Sequence, residues 1–484
     1  MNDVELARGR LREAPDGAEA IDRIEHLERS WGGRAPLERL PFDAPPGAPV
    51  DVDVAVAGGG LWLVLAAALA RRGLRVAVLD RAPVGRAHRE WNVSGKELAP
   101  FVASGLFRPA ELESLVVARY ARGVCRWHGG GAYPVQGVLD HAVDGRAFLE
   151  AVRAKALAAG ARLLDRHELT GFGASGGGVL VRAREAGGGR VELRARVLVD
   201  ALGAASPHAR VDLGCPTVGA VLGGLREGEA ADEVDPLTGD ILATTEHRDE
   251  GRQHVWEGFP AGGGDYTTYL FHYARAAELG PAPLLSLYGR FFRLRPRYKR
   301  DGRGGAELRR LTFGIIPGWS RLGPAPAPPA DGVLLVGDAA ARHSPLTFCG
   351  FGSMARSFLP IAEGLARAID EGDLSAARLG RLAPEPPLLR GVGALALLLA
   401  GPRRPRDPAS TNRLLDAAFR ALHARGNAFY ASLLRDEMPL RDFVSFLYRT
   451  SKYRPEVYRD VGAYLGPGEL WRWGRALTWG YLQG

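Results

Sequence analysis

Two glycines and an aspartate carry the first chemically suggestive spacing in this chain: Gly58, Gly60 and Asp80. Gly58 and Gly60 stand where an apolar, β-branched run (52–57) gives way to a second apolar run (61–72). Glycines at such a strand-to-helix turn let the backbone approach a pyrophosphate. The helix behind them offers N–H groups and a partial positive charge to phosphate oxygens. Asp80 closes the next apolar run and can accept hydrogen bonds from ribose hydroxyls. The third position of this fingerprint is Leu63, preceded by Trp62, where a glycine or alanine is usual. A GxG alone is weak evidence; the strand, helix, strand and terminal acid around it point to dinucleotide binding over a bare turn.

A second constellation lies far downstream. The all-apolar stretch 332–336 ends in Gly337-Asp338, and a loop containing Ser344, Pro345, Gly350 and Gly352 then opens a helix. Asp338 can accept hydrogen bonds from a polyol, and the loop amides can face a phosphate or a heterocyclic carbonyl. Between these halves stands Glu257, flanked by Trp256, Gly258 and Phe259. An apolar setting disfavours ionisation, so its carboxyl is expected to stay protonated near neutral pH and to serve as a general acid. The bland alternative is an edge-strand glutamate in water. Tyr266, Tyr269, Phe271 and Tyr273 can line an apolar cavity or fill a sheet core. Ser94 and Glu97 form a capping box, which leaves Arg89, Glu90 and Trp91 to face a cofactor.

These residues need a framework, and the hydrophobic pattern supplies one. Residues 52–57, 61–72 and 74–79 read as one β-α-β unit of a parallel sheet. A helix over 143–160 is followed by apolar runs separated by glycine clusters, a β-meander, and then the buried strand 197–200. Runs at 241–245, 254–259, 266–273 and 311–316 suggest an antiparallel sheet with a helix at 284–294. The expected fold class is α/β: a helical leader and linker at 1–50, a Rossmann-type domain at 51–215 and 331–385, an interleaved substrate domain at 216–330, and a helical region at 386–484.

Composition excludes several classes. The chain has 484 residues, is 46% hydrophobic and carries a net charge of +8. Only Lys96, Lys155, Lys299 and Lys452 are lysines among its 63 basic residues, and these are spread along the chain without aromatic clusters, so nucleic-acid binding is not expected. Cys125, Cys215 and Cys349 are far apart, with no zinc or iron–sulfur spacing. The start has no apolar signal core, so a cytoplasmic location is expected. The apolar run 392–400, the basic flank Arg403, Arg404 and Arg406, and the tail residues Trp471, Trp473, Trp479 and Tyr481 suit either shallow insertion at an anionic inner membrane face or a packed core helix.

Taken together, the GxG turn, the late helix, the meander, Asp200-Ala-Leu-Gly203 and Gly337-Asp338 resemble the FAD-binding fold of aromatic hydroxylases, flavin halogenases and lycopene cyclases. The likeness sharpens at 89–94, 255–260, 267–271, 313–317 and 344–352, which look like the lycopene cyclase-like flavoproteins of green sulfur bacteria, cyanobacteria and plastids. It runs from about Val52 to Ala368. The resemblance implies FAD as cofactor, with Gly58, Gly60 and Asp80 on its ADP half and Arg89, Asp338, Pro345, Gly350 and Gly352 nearer the ribityl chain and flavin. It implies a carotenoid-like apolar substrate, an external reductant such as NAD(P)H or a reductase, and Glu257 as the acid that protonates a polyene. Departures are Leu63, Arg342-His343 before Ser344, Ala341 where hydroxylases carry histidine, and the missing inner acid of the Asp-Gly motif near Asp200. An FAD-dependent oxidoreductase on another hydrophobic substrate and a non-catalytic flavin-fold relative are the rival readings.

Overall fold

The computed structural model describes residues 2–31, 33, 36–86, 90–342, 350–383, 387–401 and 407–483. Arg89 and Pro345 lie outside the described residues, as do Arg403, Arg404 and Arg406.

The first sheet is built on apolar strands that need cover on both faces. Val52–Ala57 is almost wholly buried and pairs in parallel with Val76–Asp80, which pairs in turn with Arg162–Asp165. On its other side Val52–Ala57 pairs with the far half of Arg190–Asp200, which also pairs with Val333–Leu335. The near half of that long strand belongs to an antiparallel meander with Gly178–Glu185 and His167–Ser175. Helix Leu63–Ala70 is buried on every side, and it packs in one cluster with helices Gly145–Ala158 and Gly350–Glu371. Asp144 caps the second of these through Arg146 and Ala147 amides. Leu63 is buried without strain. Its Cδ2 lies 3.3 Å from where a Cβ would stand on Gly85, so a glycine in the facing loop supplies the room that the fingerprint glycine normally supplies.

The second sheet places Leu213–Gly223 between Glu307–Gly318 and Tyr266–Phe271, followed by Val255–Pro260, Thr238–Ala243, Arg122–Arg126 and Ala132–Val135. The last two strands fall inside the stretch 51–215 that the sequence assigns to the cofactor domain, yet they extend the second sheet. One face of this sheet is covered by helix Pro283–Tyr298 and by the leader helices Asp3–Leu11 and Gly17–Ser30. A small third sheet joins Glu90–Val93, His141–Asp144 and Val116–Arg119.

The C-terminal helices Pro387–Leu399, Ser410–His423, Asn427–Leu434, Leu440–Tyr453 and Val457–Tyr464 share one apolar cluster with the other face of the second sheet. Val392, Ala394, Leu397 and Ala400 are buried there. The 392–400 run is therefore a core helix, and the shallow membrane insertion considered for it is not what the structure shows; sheet side chains such as Val255 and Phe271 cover it. No described helix is long and apolar enough to cross a membrane.

Candidate functional site

The Gly58 turn, Asp80, Gly203, Gly337–Asp338 and the start of helix Gly350–Glu371 converge on one open cavity of about 940 Å³. Gly58 has φ +111°, and a Cβ there would collide with the Ala201 carbonyl. That backbone path exists only for glycine. Gly60 and Gly350 have open space where a Cβ would stand, which is the cradle a close-lying ligand needs. Asp80 accepts from the Gly59 and Ala82 amides, each at 2.7 Å. Each carboxylate oxygen keeps a further acceptor site. No side chain caps the N-terminus of helix Leu63–Ala70; its Leu63 and Leu65 amides donate to the Gly60 and Trp62 carbonyls, and the positive end of the helix points at the glycine turn. These features fit a dinucleotide laid from Asp80 and the glycine turn toward Asp338.

One side chain intrudes. Trp62 lines the same cavity, and a Cβ on Gly337 would collide with its indole. The ring therefore bridges the two halves of the cradle. Gly352 is turned elsewhere: a Cβ there would meet the Glu97 carboxylate, which pairs with Arg356. Glu97 and Ser94 do form the expected capping box. Trp91 lines the cavity and stacks on Phe351 at 4.9 Å, whereas Glu90 faces the second sheet, bound by Thr267 and Arg310.

Glu257 is not on an edge. Its strand, Val255–Pro260, lies between Thr238–Ala243 and Tyr266–Phe271. Register places Glu257 opposite Tyr269, then Gly219, then Thr312, on the face away from the leader helices. Tyr266–Phe271 thus runs beside Glu257, not across a cavity from it; its Thr267, Tyr269 and Phe271 share Glu257's face, and Tyr266, Thr268 and Leu270 take the other. Burial pushes the Glu257 carboxyl up from 4.5 to about 7, against the opposing pull of a 2.5 Å hydrogen bond donated by Asn92. Asn92 stands next to Trp91 on one short strand, so it ties Glu257 to the wall of the dinucleotide cavity. Sequence reasoning did not single out Asn92; nothing local distinguishes it.

Two residues back along the same face, about 7 Å away, Val255 enters a second cavity. This chamber is small, about 120 Å³, and lies between the second sheet and the C-terminal helices. Its wall includes Trp127, Tyr273, Leu398, Phe419, Phe446 and Val461, and is almost entirely apolar. Glu257 lines neither cavity itself: Asn92 and Trp91 connect it to the cradle, and Val255, two residues away on its strand, connects it to the apolar chamber. His272, also near this sheet, is held well below the ordinary imidazole range by burial and is a poor proton donor at neutral pH.

No protein-family model and no curated protein sequence matches the chain. Solved structures do. A geranylgeranyl bacteriochlorophyll reductase-like protein from Thermoplasma acidophilum superposes with a TM-score of 0.61 at 19% identity, covering 86% of this chain and 99% of that one. A flavoprotein/dehydrogenase from Cytophaga hutchinsonii gives 0.59 at 13%, over 84% and 99%. The halogenase PltM, solved with phloroglucinol and FAD, gives 0.56 at 14%, over 89% and 91%. The fold is the Rossmann-type α/β fold that these flavoproteins share.

Proposed function

We propose that this chain is an FAD-binding enzyme that protonates a double bond of an apolar isoprenoid, with Glu257 as the acid. The observation that carries the reading is the buried Glu257 carboxyl, raised to about 7 and tied through Asn92 to the strand whose Trp91 lines the cradle. FAD would rest on Gly58, Gly60, Asp80, Gly337 and Asp338; once bound and kept reduced by an external donor such as NAD(P)H or a reductase, it would supply redox chemistry or a negative charge beside a cation.

The chain's own residues then do the following. The apolar chamber, about 120 Å³, takes a short segment of the hydrocarbon and excludes water from it. The raised Glu257 carboxyl keeps its proton to higher pH than an exposed glutamate does. That carboxylic acid adds its proton to one carbon of a double bond, leaving a carboxylate and a cation on the other carbon. Attack by a neighbouring double bond closes a ring, and return of a proton from the carbon next to the cation to the Glu257 carboxylate restores an alkene and the acid. Atoms and electrons balance with no net redox, the lycopene cyclase-like outcome. Asn92 holds the Glu257 oxygen at 2.5 Å and fixes its direction.

The test uses purified, FAD-loaded protein with lycopene in detergent micelles and a chemical reductant, read by chromatography and mass spectrometry. Cyclisation gives a product of unchanged mass, and Glu257→Gln should lower the rate by about 10²–10⁴-fold while leaving the flavin spectrum intact. Full activity in that variant would remove the assignment. A second reading, reduction of an isoprenoid double bond, draws on the name of the Thermoplasma neighbour; its product would be heavier by two hydrogens.

A further inference from the structure

Large apolar side chains are exposed in one region above all. Val444, Tyr448, Tyr453, Tyr458, Leu470 and Trp471 lie on the three helices Leu440–Tyr453, Val457–Tyr464 and Pro467–Gln483. Elsewhere among the described residues only Leu157 and Leu237 are comparably exposed. Trp471 and Tyr458 are each 63% exposed and Tyr448 59%, far more than a packed core would leave. Along the first helix, Arg441, Val444, Tyr448 and Lys452 follow one another at spacings of three and four, so they form a single stripe.

The exposed charges on this surface are mostly positive. Arg441, Lys452, Arg459, Arg472 and Arg475 are exposed with the aromatics, against one exposed carboxylate, Glu456. Lys452 sits over the Tyr448 ring at 5.0 Å and Arg475 over Trp471 at 5.1 Å. Aromatic rings interleaved with cations suit the boundary between lipid headgroups and acyl chains. The first two of these helices also line the apolar chamber, through Phe446, Leu447, Thr450, Val457 and Val461. The chamber thus lies about one helix diameter, roughly 10 Å, beneath the exposed aromatics of those two helices.

We infer that the outer face of these three helices docks on an anionic lipid surface, and that the chamber draws its hydrocarbon from that surface. The docking follows from exposure and charge alone; its role in loading the chamber rests on the proposed function. Anionic lipid is favoured over a second copy of the chain because a two-fold contact through this face would oppose its five cations to themselves.

The experiment is flotation of the full-length protein with vesicles of phosphatidylcholine alone or mixed with phosphatidylglycerol. The protein should float with the mixed vesicles and be released as salt rises, since attraction at an exposed surface is screened beyond about 8 Å at physiological ionic strength. Each cation near an anionic surface is worth about a fivefold change in partitioning, so Arg472→Gln with Arg475→Gln should cost about 30-fold. Trp471→Ser should weaken binding at every salt concentration, and Leu157→Ser, at an exposed leucine on another helix, should change nothing. Flotation that ignores phosphatidylglycerol, or that survives both the arginine and tryptophan variants, would overturn the inference. So would a concentration-dependent dimer, abolished by Trp471→Ser, in protein that does not float. Uptake of lycopene from micelles with no flotation would retain the proposed function and reject only the docking face.

Discussion

Glu257→Gln should do two opposite things, and the second can be measured without any substrate. Burial raises the folded-state carboxyl from 4.5 to about 7. In the unfolded chain the group ionises near its ordinary value. Below about pH 4.5 both states hold the proton and burial of the acid carries no ionisation penalty. As pH rises from there, the unfolded state gains by ionising while the folded state does not, so stability falls until the folded group also ionises near 7. The full loss corresponds to about 3 kcal/mol, a ceiling because Glu257 keeps some accessible surface. Glutamine has the same shape, stays neutral, and still offers an oxygen to Asn92. Glu257→Gln should therefore match the parent in stability near pH 4 and exceed it by up to about 3 kcal/mol at pH 8. Urea denaturation at the two pH values, with equal m-values as a check on the fold, reads the difference. An equal stability change at both pH values would show that the carboxyl titrates normally, and the acid assignment would fall with it.

Two further outcomes concern the cradle and the frame. In a flavin fluorescence titration, Asp338→Ala should lose FAD while remaining folded, whereas Trp62→Ala should bind it about tenfold more tightly, worth about 1.4 kcal/mol, because the indole no longer spans the gap to Gly337; weaker binding in Trp62→Ala would mean that the ring is part of the cradle. On the leader-helix side of the second sheet, Asp240 is buried with Lys299 at 3.0 Å, Arg126 and Tyr298. Lys299→Met should destabilise the protein by about 3 kcal/mol, the scale for breaking a buried ion pair, and a melting temperature within a degree of the parent would refute that account.

Local order was legible wherever short-range physics specifies it. The β-α-β unit from Val52 to Asp80 follows from two apolar strands, a glycine turn and a run of helix formers. The capping box at Ser94 and Glu97 and the helix after Asp144 likewise depend on residues within a turn of one another. So does the strand ending at Gly337-Asp338. Boundaries moved by a few residues because fraying ends depend on neighbours: the helix read at 61–72 is Leu63–Ala70.

Other features depend on residues brought together from far apart, and periodicity carries no information about them. Asn92 and Glu257 are 165 positions apart, and only the packing of the small third sheet against the second sheet joins them. Whether Glu257 was an edge residue in water or a buried acid turned on which strands flanked it, and that is decided by sheet order. The apolar run 392–400 had the same sequence pattern for a bilayer as for a core; the second sheet supplied the cover, and the aromatic surface emerged instead on the helices that follow. Leu63 and Trp62 read alike as departures from a fingerprint. The tertiary structure separates them, since Gly85 makes room for Leu63, while the Trp62 indole reaches across to Gly337, where the two halves of the cradle meet.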